Sequence, residues 1–354
     1  MKERRIAVIY LTPAGKNVAE RLAAGWDEGT VAVLAGGSSL SSQVRSLWNQ
    51  YDSFIFIMAV GIVVRLVAPL LRSKWEDPGV VVVDEGGHYA VSLVGGHWGG
   101  SNTLARKAAA VLGAEPVVTT ATDVQGKPAL DTLAKEWGML PLPRERVKEA
   151  NSALLAGKRV VIYSEWDLQI TEELDGIEFL PLGRNSGALD HGFPVFVTSR
   201  EHDQFGGQGI CLCPPSLSAG IGCKRGVSAE EVLYALRYAL KLSGRREESL
   251  TLLASHKVKE DELGLQEAAR RLKLSLAFYD TGILKEIHKQ NPNLADSSFV
   301  RKQMGVGGVC ETAALAAVPE GKLVLSKTKV GRVTVAIAEA GLLWSESGQE
   351  IRRI

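Results

Sequence analysis

Residues 80–112 read VVVVDEGGHYAVSLVGGHWGGSNTLARKAAAVL. Val80 to Val83 is a continuous apolar strand that ends in an acid, Asp84. Glu85-Gly86-Gly87-His88 supplies the glycines of a tight turn, and Tyr89 to Val94 reads as the returning strand of a hairpin. A glycine-rich loop follows at Gly95 to Gly100, and the small, apolar-periodic run from about Asn102 to Leu112 reads as a helix. Strand, reversal, loop and helix within one short stretch predict an α/β sheet with its polar residues gathered at the turns.

Upstream, strand and helix patterns alternate: Ile6 to Leu11, then Val18 to Ala24; Val31 to Leu34, then Leu40 to Trp48; Phe54 to Met58, then Ile62 to Leu71. Thr12 to Gly15 reads as a turn after the first strand. Alternation of this kind predicts a mostly parallel sheet covered by helices. A short strand at Pro116 to Thr119 completes a first domain over residues 1–127. Downstream, helices are expected at Ala129 to Trp137 and Arg144 to Leu154. Short strands follow at Val160 to Tyr163, Phe179 to Leu182, Val195 to Val197 and Ile210 to Leu212. Gly183 to Gly192 and Glu201 to Gly209 read as loops. This is a smaller, more variable α/β domain over residues 128–215. Pro214-Pro215 breaks the pattern, since neither residue donates to a sheet ladder. Strand and helix patterns then resume from Leu217 to Ile337 and give a C-terminal α/β domain over residues 216–354.

The 354 residues exceed the size at which a single core is usual, and 45% hydrophobic with 23% charged residues are globular values. A net charge of +1 argues against a nucleic-acid binder that relies on a basic surface. No apolar run reaches the roughly 20 residues needed to span a bilayer, and Phe54 to Val67 is broken by Gly61 and Arg65. The N-terminal run lacks a cleavage site. A soluble, cytoplasmic protein is therefore expected. The four cysteines, Cys211, Cys213, Cys223 and Cys310, show no zinc-like spacing with histidine and are expected as buried free thiols, with no protein-held metal.

The residues that can carry chemistry cluster at the turns. Gly99 and Gly100 precede Ser101 and Asn102, both good N-caps, so the helix entrance there is a candidate anion site or else a tight structural turn. His97 and His88 stand at opposite ends of the Tyr89 to Val94 strand. Imidazoles ordinarily titrate near pH 6.5, so either is a candidate general acid or base, with Asp84 and Glu85 available to orient it. Arg65 interrupts an apolar run and must meet a carboxylate or reach water. In the third domain, Lys224 and Arg225 sit in a glycine-rich turn before a helix capped by Ser228, a candidate carboxylate clamp. Lys257 follows a strand at the edge where open α/β sheets hold ligands. Glu311 opens an Ala-rich helix after Gly305-Val306-Gly307-Gly308. No Ser-His-Asp arrangement or nucleophile elbow is present.

GIVVRLVAPLL (61–71), GGHWGGSNTLA (95–105), TTATDV (119–124), GIGCKRG (220–226) and GVGGVCETAAL (305–315) occur in this order. On these motifs the chain resembles the cobalt-precorrin-5A hydrolase family of cobalamin biosynthesis, whose C-terminal part is similar to a smaller stand-alone protein of the pathway. The resemblance implies an enzyme that opens the δ-lactone of cobalt-precorrin 5A and releases acetaldehyde to leave cobalt-precorrin 5B. The cobalt is then carried by the substrate, and no further cofactor is implied. Transient contact with neighbouring pathway enzymes fits this setting, as does a rival role as a non-catalytic tetrapyrrole carrier. Our own assignment of roles gives His97 or His88 the activation of water and gives backbone amides near Gly99 and Gly100 the oxyanion. Glu311 is the alternative acid or base. Arg65, Gly99, Gly100, Ser101, Asn102, Lys224, Arg225 and Lys257 are left to bind the substrate, with the helix entrances at Gly99 to Asn102 and Gly222 to Ser228 as sites for its acidic side chains.

Overall fold

The computed structural model describes residues 4–37, 39–166, 173–183, 192–201, 209–294, 307–344 and 351–353. Most of the two loop stretches expected at 183–192 and 201–209, and Gly305 and Val306, lie outside the described residues. The chain forms two compact units, Met1–Leu133 and Ala134–Ile354.

The first unit runs β1 (Arg5–Tyr10), α1 (Pro13–Ala24), β2 (Thr30–Ala35), α2 (Leu40–Leu47), β3 (Ser53–Ile57), α3 (Val60–Val67), β4 (Gly79–Val83), β5 (Tyr89–Val94), α4 (Ser101–Leu112), β6 (Glu115–Val117) and α5 (Ala121–Val124). Its sheet has the order β2-β1-β3-β4-β5-β6. Strands β1 to β4 are parallel, and β5 turns back against β4 in the expected hairpin. β3 and β4 are buried along their whole lengths, as strands covered on both faces must be. One face packs on α1 and α4 through Val18, Leu22, Leu104 and Ala108. The other packs on α2 and α3 through Val44, Trp48, Val63 and Val67. Trp48 stacks on Phe54, and Phe54 on Phe56. Each such fully buried side chain contributes roughly 1.5–3 kcal/mol.

Two local expectations change. Thr12 to Gly15 is not a free turn but the start of α1: the Thr12 hydroxyl accepts the Gly15 amide (3.1 Å) and Pro13 takes the first helical position, where its missing N–H costs nothing. Ser101 and Asn102 do not cap α4. Gly100 does so from the left-handed region (φ 79°), which places both residues inside the first turn with their side chains buried.

The second unit follows the helix α6 (Leu130–Glu136) with β7 (Leu140–Leu142), α7 (Val147–Leu155), β8 (Val160–Ser164), β9 (Ile177–Pro181), β10 (Phe193–Val197) and β11 (Ile210–Cys213). These strands form a sheet ordered β7-β11-β10-β8-β9, parallel except for β7. Then come β12 (Leu217–Cys223), α8 (Ala229–Ser243), β13 (Leu250–His256), α9 (Leu263–Leu272), β14 (Ser275–Tyr279), α10 (Thr281–Gln290), α11 (Cys310–Ala316), β15 (Lys322–Val330) and β16 (Val333–Glu339). The order is β14-β13-β12-β16-β15, with β12 to β14 parallel and β16 reversed. Within this unit the two sheets are joined at Glu339, which is buried at the end of β16, meets Arg245 at 3.1 Å and takes the Ser199 hydroxyl from the segment after β10. Among the described residues no helix is long and apolar enough to cross a membrane.

Candidate active site

The parallel strands of the first unit end at one edge of the sheet, and β1 marks the point where chain order reverses, with β2 on one side and β3 on the other. Open α/β sheets hold ligands in this crevice. A cavity of about 650 Å³ lies there, floored by Met58, Val82, Val91 and Val117 and bordered by Thr12, Ala59, Asp84 and Glu85. Val60, Ile62 and Tyr89, large apolar side chains that line it, are 41%, 39% and 55% exposed among the described residues. Uncovered apolar groups around a concave, largely apolar floor are the ordinary surroundings of an organic ligand.

The β4–β5 turn brings Asp84 and Glu85 to this border, with His88 held against Asp84. Asp84 leaves the end of β4 and accepts the amides of Gly86 (3.0 Å), His88 (2.8 Å) and Tyr89 (2.7 Å). Its remaining acceptor direction meets the His88 Nδ1 at 3.1 Å. Burial raises the Asp84 pKa, but these backbone bonds and the His88 ring outweigh it and hold the carboxyl below its ordinary value. Asp84 is thus a fixed anion facing Nδ1 of His88, whose side chain is 74% exposed; the tautomer with its proton on Nδ1 would carry its lone pair on Nε2. The ring lies over Gly86, where a Cβ would fall 2.3 Å from His88 Cε1, so only glycine admits this pairing. Beside it, Thr12 donates to one oxygen of Glu85 (2.8 Å).

His97 has the opposite environment. Its Nδ1 meets Asp131 at 3.0 Å, and its Nε2 meets Asp123 at 3.2 Å and the Thr122 hydroxyl at 3.0 Å. Burial alone would lower its pKa, but hydrogen bonds and charge from Asp131 and then Asp123 raise it above the ordinary value. Arg106 pairs with Asp123, and Lys74 with Asp131. An imidazole with both nitrogens engaged by neighbouring side chains has none free for water, so the water-activating role expected of His97 does not fit this geometry.

The neighbouring loop is likewise engaged with itself. The amides of Ser101 and Asn102 donate to Gly95 and Gly96 (3.0 and 3.1 Å). Asn102 donates to Thr120 and Asp123 and accepts from Ser92, which also bonds Ser101. A Cβ on Gly79 would lie 2.6 Å from the Gly99 carbonyl, and one on Gly99 2.7 Å from the Gly95 carbonyl. The glycines therefore let three backbone segments cross, and the carbonyl of Gly99 accepts Arg4. Gly99, Gly100, Ser101 and Asn102 are all buried, which does not suit them to the anion-holding role expected of them.

The remaining candidates belong to the second unit, except Arg65, which is exposed on α3. Arg225 pairs with Asp261 and the Val258 carbonyl, and Lys257 approaches Asp280 at 3.6 Å; Lys224 is exposed beside them. Glu311 is 2% exposed; one oxygen accepts the Lys327 amide (3.0 Å), and the other is buried without a partner among the described residues. Burial raises the thiols of Cys211 and Cys310 to about 11 and that of Cys213 higher still, so none is a ready nucleophile. Among the described residues no group of three or more His, Cys, Asp or Glu side chains is arranged to hold a metal.

Comparison with known proteins settles the ancestry. Three family models match in order: cobalamin synthesis G N-terminal (residues 42–123), cobalamin biosynthesis central region (128–214) and cobalamin synthesis G C-terminus (217–338). A cobalt-precorrin-5A hydrolase of Salmonella typhimurium is 34% identical, over 96% of this chain and 99% of that protein. The chain belongs to the cobalt-precorrin-5A hydrolase family. Another relative so named, from Priestia megaterium, is 32% identical over 85% of this chain and 82% of its own length. A shorter relative, the protein CobE of a Sinorhizobium, is 33% identical across 37% of the chain and 84% of its own length. The N-terminal model of the hydrolase family spans α3, the Asp84–His88 turn, His97 and Asp123, and stops short of Asp131.

Proposed function

We propose that the protein hydrolyses cobalt-precorrin 5A at the cavity of the first unit, opening its δ-lactone and releasing acetaldehyde to leave cobalt-precorrin 5B. Family membership supports the substrate and reaction. The observation that carries the site is the Asp84–His88 pair, whose carboxylate borders a largely apolar cavity.

His88 Nε2 takes a proton from water as the water oxygen bonds to the lactone carbonyl carbon. Asp84 holds the tautomer and stabilises the imidazolium that forms. The amides of Val60 and Gly61, which open α3 without a side-chain cap, are assigned to the oxyanion. Collapse of the tetrahedral intermediate breaks the acyl C–O bond and gives a carboxylic acid; the leaving alkoxide takes the proton from His88. The same imidazole then removes the alcohol proton. The C–O bond becomes the carbonyl of acetaldehyde, and the carbon–carbon bond to the ring breaks. Its electron pair passes into the conjugated macrocycle, which takes up a proton. The cobalt belongs to the substrate throughout. One water enters, and one acetaldehyde leaves.

The test is single-turnover acetaldehyde release by His88→Ala and Asp84→Asn with circular dichroism as the control for folding. Loss in both supports the assignment. A wild-type rate in folded His88→Ala removes it.

A further inference from the structure

The cavity border is chemically lopsided. Asp84 and Glu85 stand on the β4–β5 side, with His88 held against Asp84, while the α3 side is lined by Ala59, Val60 and Ile62. Arg65, not itself a lining residue, lies beside this second side. Long helical side chains lean back toward the helix N-terminus. Arg65 does so: the position of a Cβ on Gly61, between the two lining residues Val60 and Ile62, lies 3.9 Å from its Nη1. Gly61 leaves the space over which the guanidinium lies. Arg65 is exposed, and among the described residues no carboxylate pairs with it. Elsewhere in the unit, Arg4 bonds Ser53 and Gly99, Arg5 meets Asp52, Arg21 bonds the Leu112 carbonyl and Arg106 meets Asp123.

We infer that Arg65 is the specificity-determining residue of this site: it receives a peripheral carboxylate of the macrocycle and so turns the lactone edge toward His88. This rests on the cavity being the substrate site. A flat macrocycle rimmed by acids has an apolar face for Val60, Ile62 and Tyr89 and an anionic edge for a guanidinium. The planar fork of arginine pairs with both oxygens of a carboxylate and thereby fixes direction as well as position, which a lysine ammonium does not. Opposite it, the acids of the β4–β5 turn repel the same carboxylate, so a reversed pose loses at both ends.

The experiment titrates the full-length protein, by visible absorbance, with a stable cobalt corrinoid whose side chains are carboxylates and with the same macrocycle fully amidated. The wild type is expected to bind the acid form more tightly. Arg65→Gln should cut that preference about ten-fold while leaving amide-form binding unchanged, and Arg65→Lys should restore part of it. In turnover with the natural substrate, Arg65→Gln should raise KM more than it lowers kcat. An unchanged preference in Arg65→Gln overturns the inference. The exposed variant Ala59→Trp, which fills the mouth, separates this from the underlying reading. If Ala59→Trp abolishes binding while Arg65→Gln does nothing, the cavity stands and Arg65 falls. If neither changes binding, both fall.

Discussion

The two ends of β5 each present a histidine to an aspartate, and they are opposites. At its start, His88 meets one carboxylate through one nitrogen, on an exposed side chain whose partner Asp84 borders a cavity. At its end, His97 is clasped by carboxylates on both sides and shut away from solvent, with a side chain 13% exposed. Proximity to an acid therefore does not make a base. What separates the two rings is the count of free nitrogens, and the partners around each ring decide that count.

The largest expected effect breaks the open end. His88→Ala should slow acetaldehyde release by about 100- to 10,000-fold, the usual contribution of a positioned acid–base group, with little change in melting temperature. Next is the closed end. His97→Ala leaves Asp123 and Asp131 facing an emptied, mostly buried space and should cost about 3–5 kcal/mol, read from urea unfolding of the whole chain. The prediction for activity is reversed: folded His97→Ala should retain acetaldehyde release at a rate far above His88→Ala.

A pH series sharpens the contrast further. Because the folded-state pKa of His97 is raised, its contribution is fully present below the unfolded value of about 6.5 and is lost as pH rises through the folded value. Asp123, held below its ordinary value by Arg106 and His97 against the opposing effect of burial, contributes above about pH 4, and that contribution is lost on acidification. The clasp is thus strongest between about pH 4 and 6.5. The melting temperature should fall as pH is raised from there toward 9, and His97→Gln should flatten that slope. An unaltered slope in His97→Gln would place the titration elsewhere. The smallest effect is expected at the glycine that separates loop from helix: Gly100→Ala, forced into the left-handed region, should cost about 1 kcal/mol in urea unfolding.

The strands and most helices of the first unit were legible because their signals are local: apolar runs such as Val80 to Val83 and glycines at Gly86 and Gly87. The Asp84–His88 pair was legible for the same reason, since acid, turn and imidazole lie within five residues. β7 was not anticipated, because three residues with Pro141 at their centre carry no strand pattern; it is an antiparallel edge strand, where proline is tolerated. The fate of His97 was hidden by distance along the chain. Asp123 lies 26 residues away and Asp131 further still, and nothing local links them. Thr122 and Asp123 were visible only as part of a motif. The glycine loop misled for a related reason: a glycine that admits a ligand and one that admits another backbone look alike in sequence, and only the Gly79–Gly99 crossing tells them apart.

The reversal of β5 in an otherwise parallel run has one more consequence. A parallel strand would have begun at the far edge of the sheet, and its leading residues would have been carried away from the crevice. By folding straight back, the chain sets Asp84 and His88 in a single loop, and the four bonds to the Asp84 carboxylate all come from within Gly86–Tyr89. The geometry between acid and imidazole is thereby set by their own loop, while its outer contacts, Thr12 to Glu85 and the Glu115 amide to the His88 carbonyl, tie that loop to the neighbouring elements.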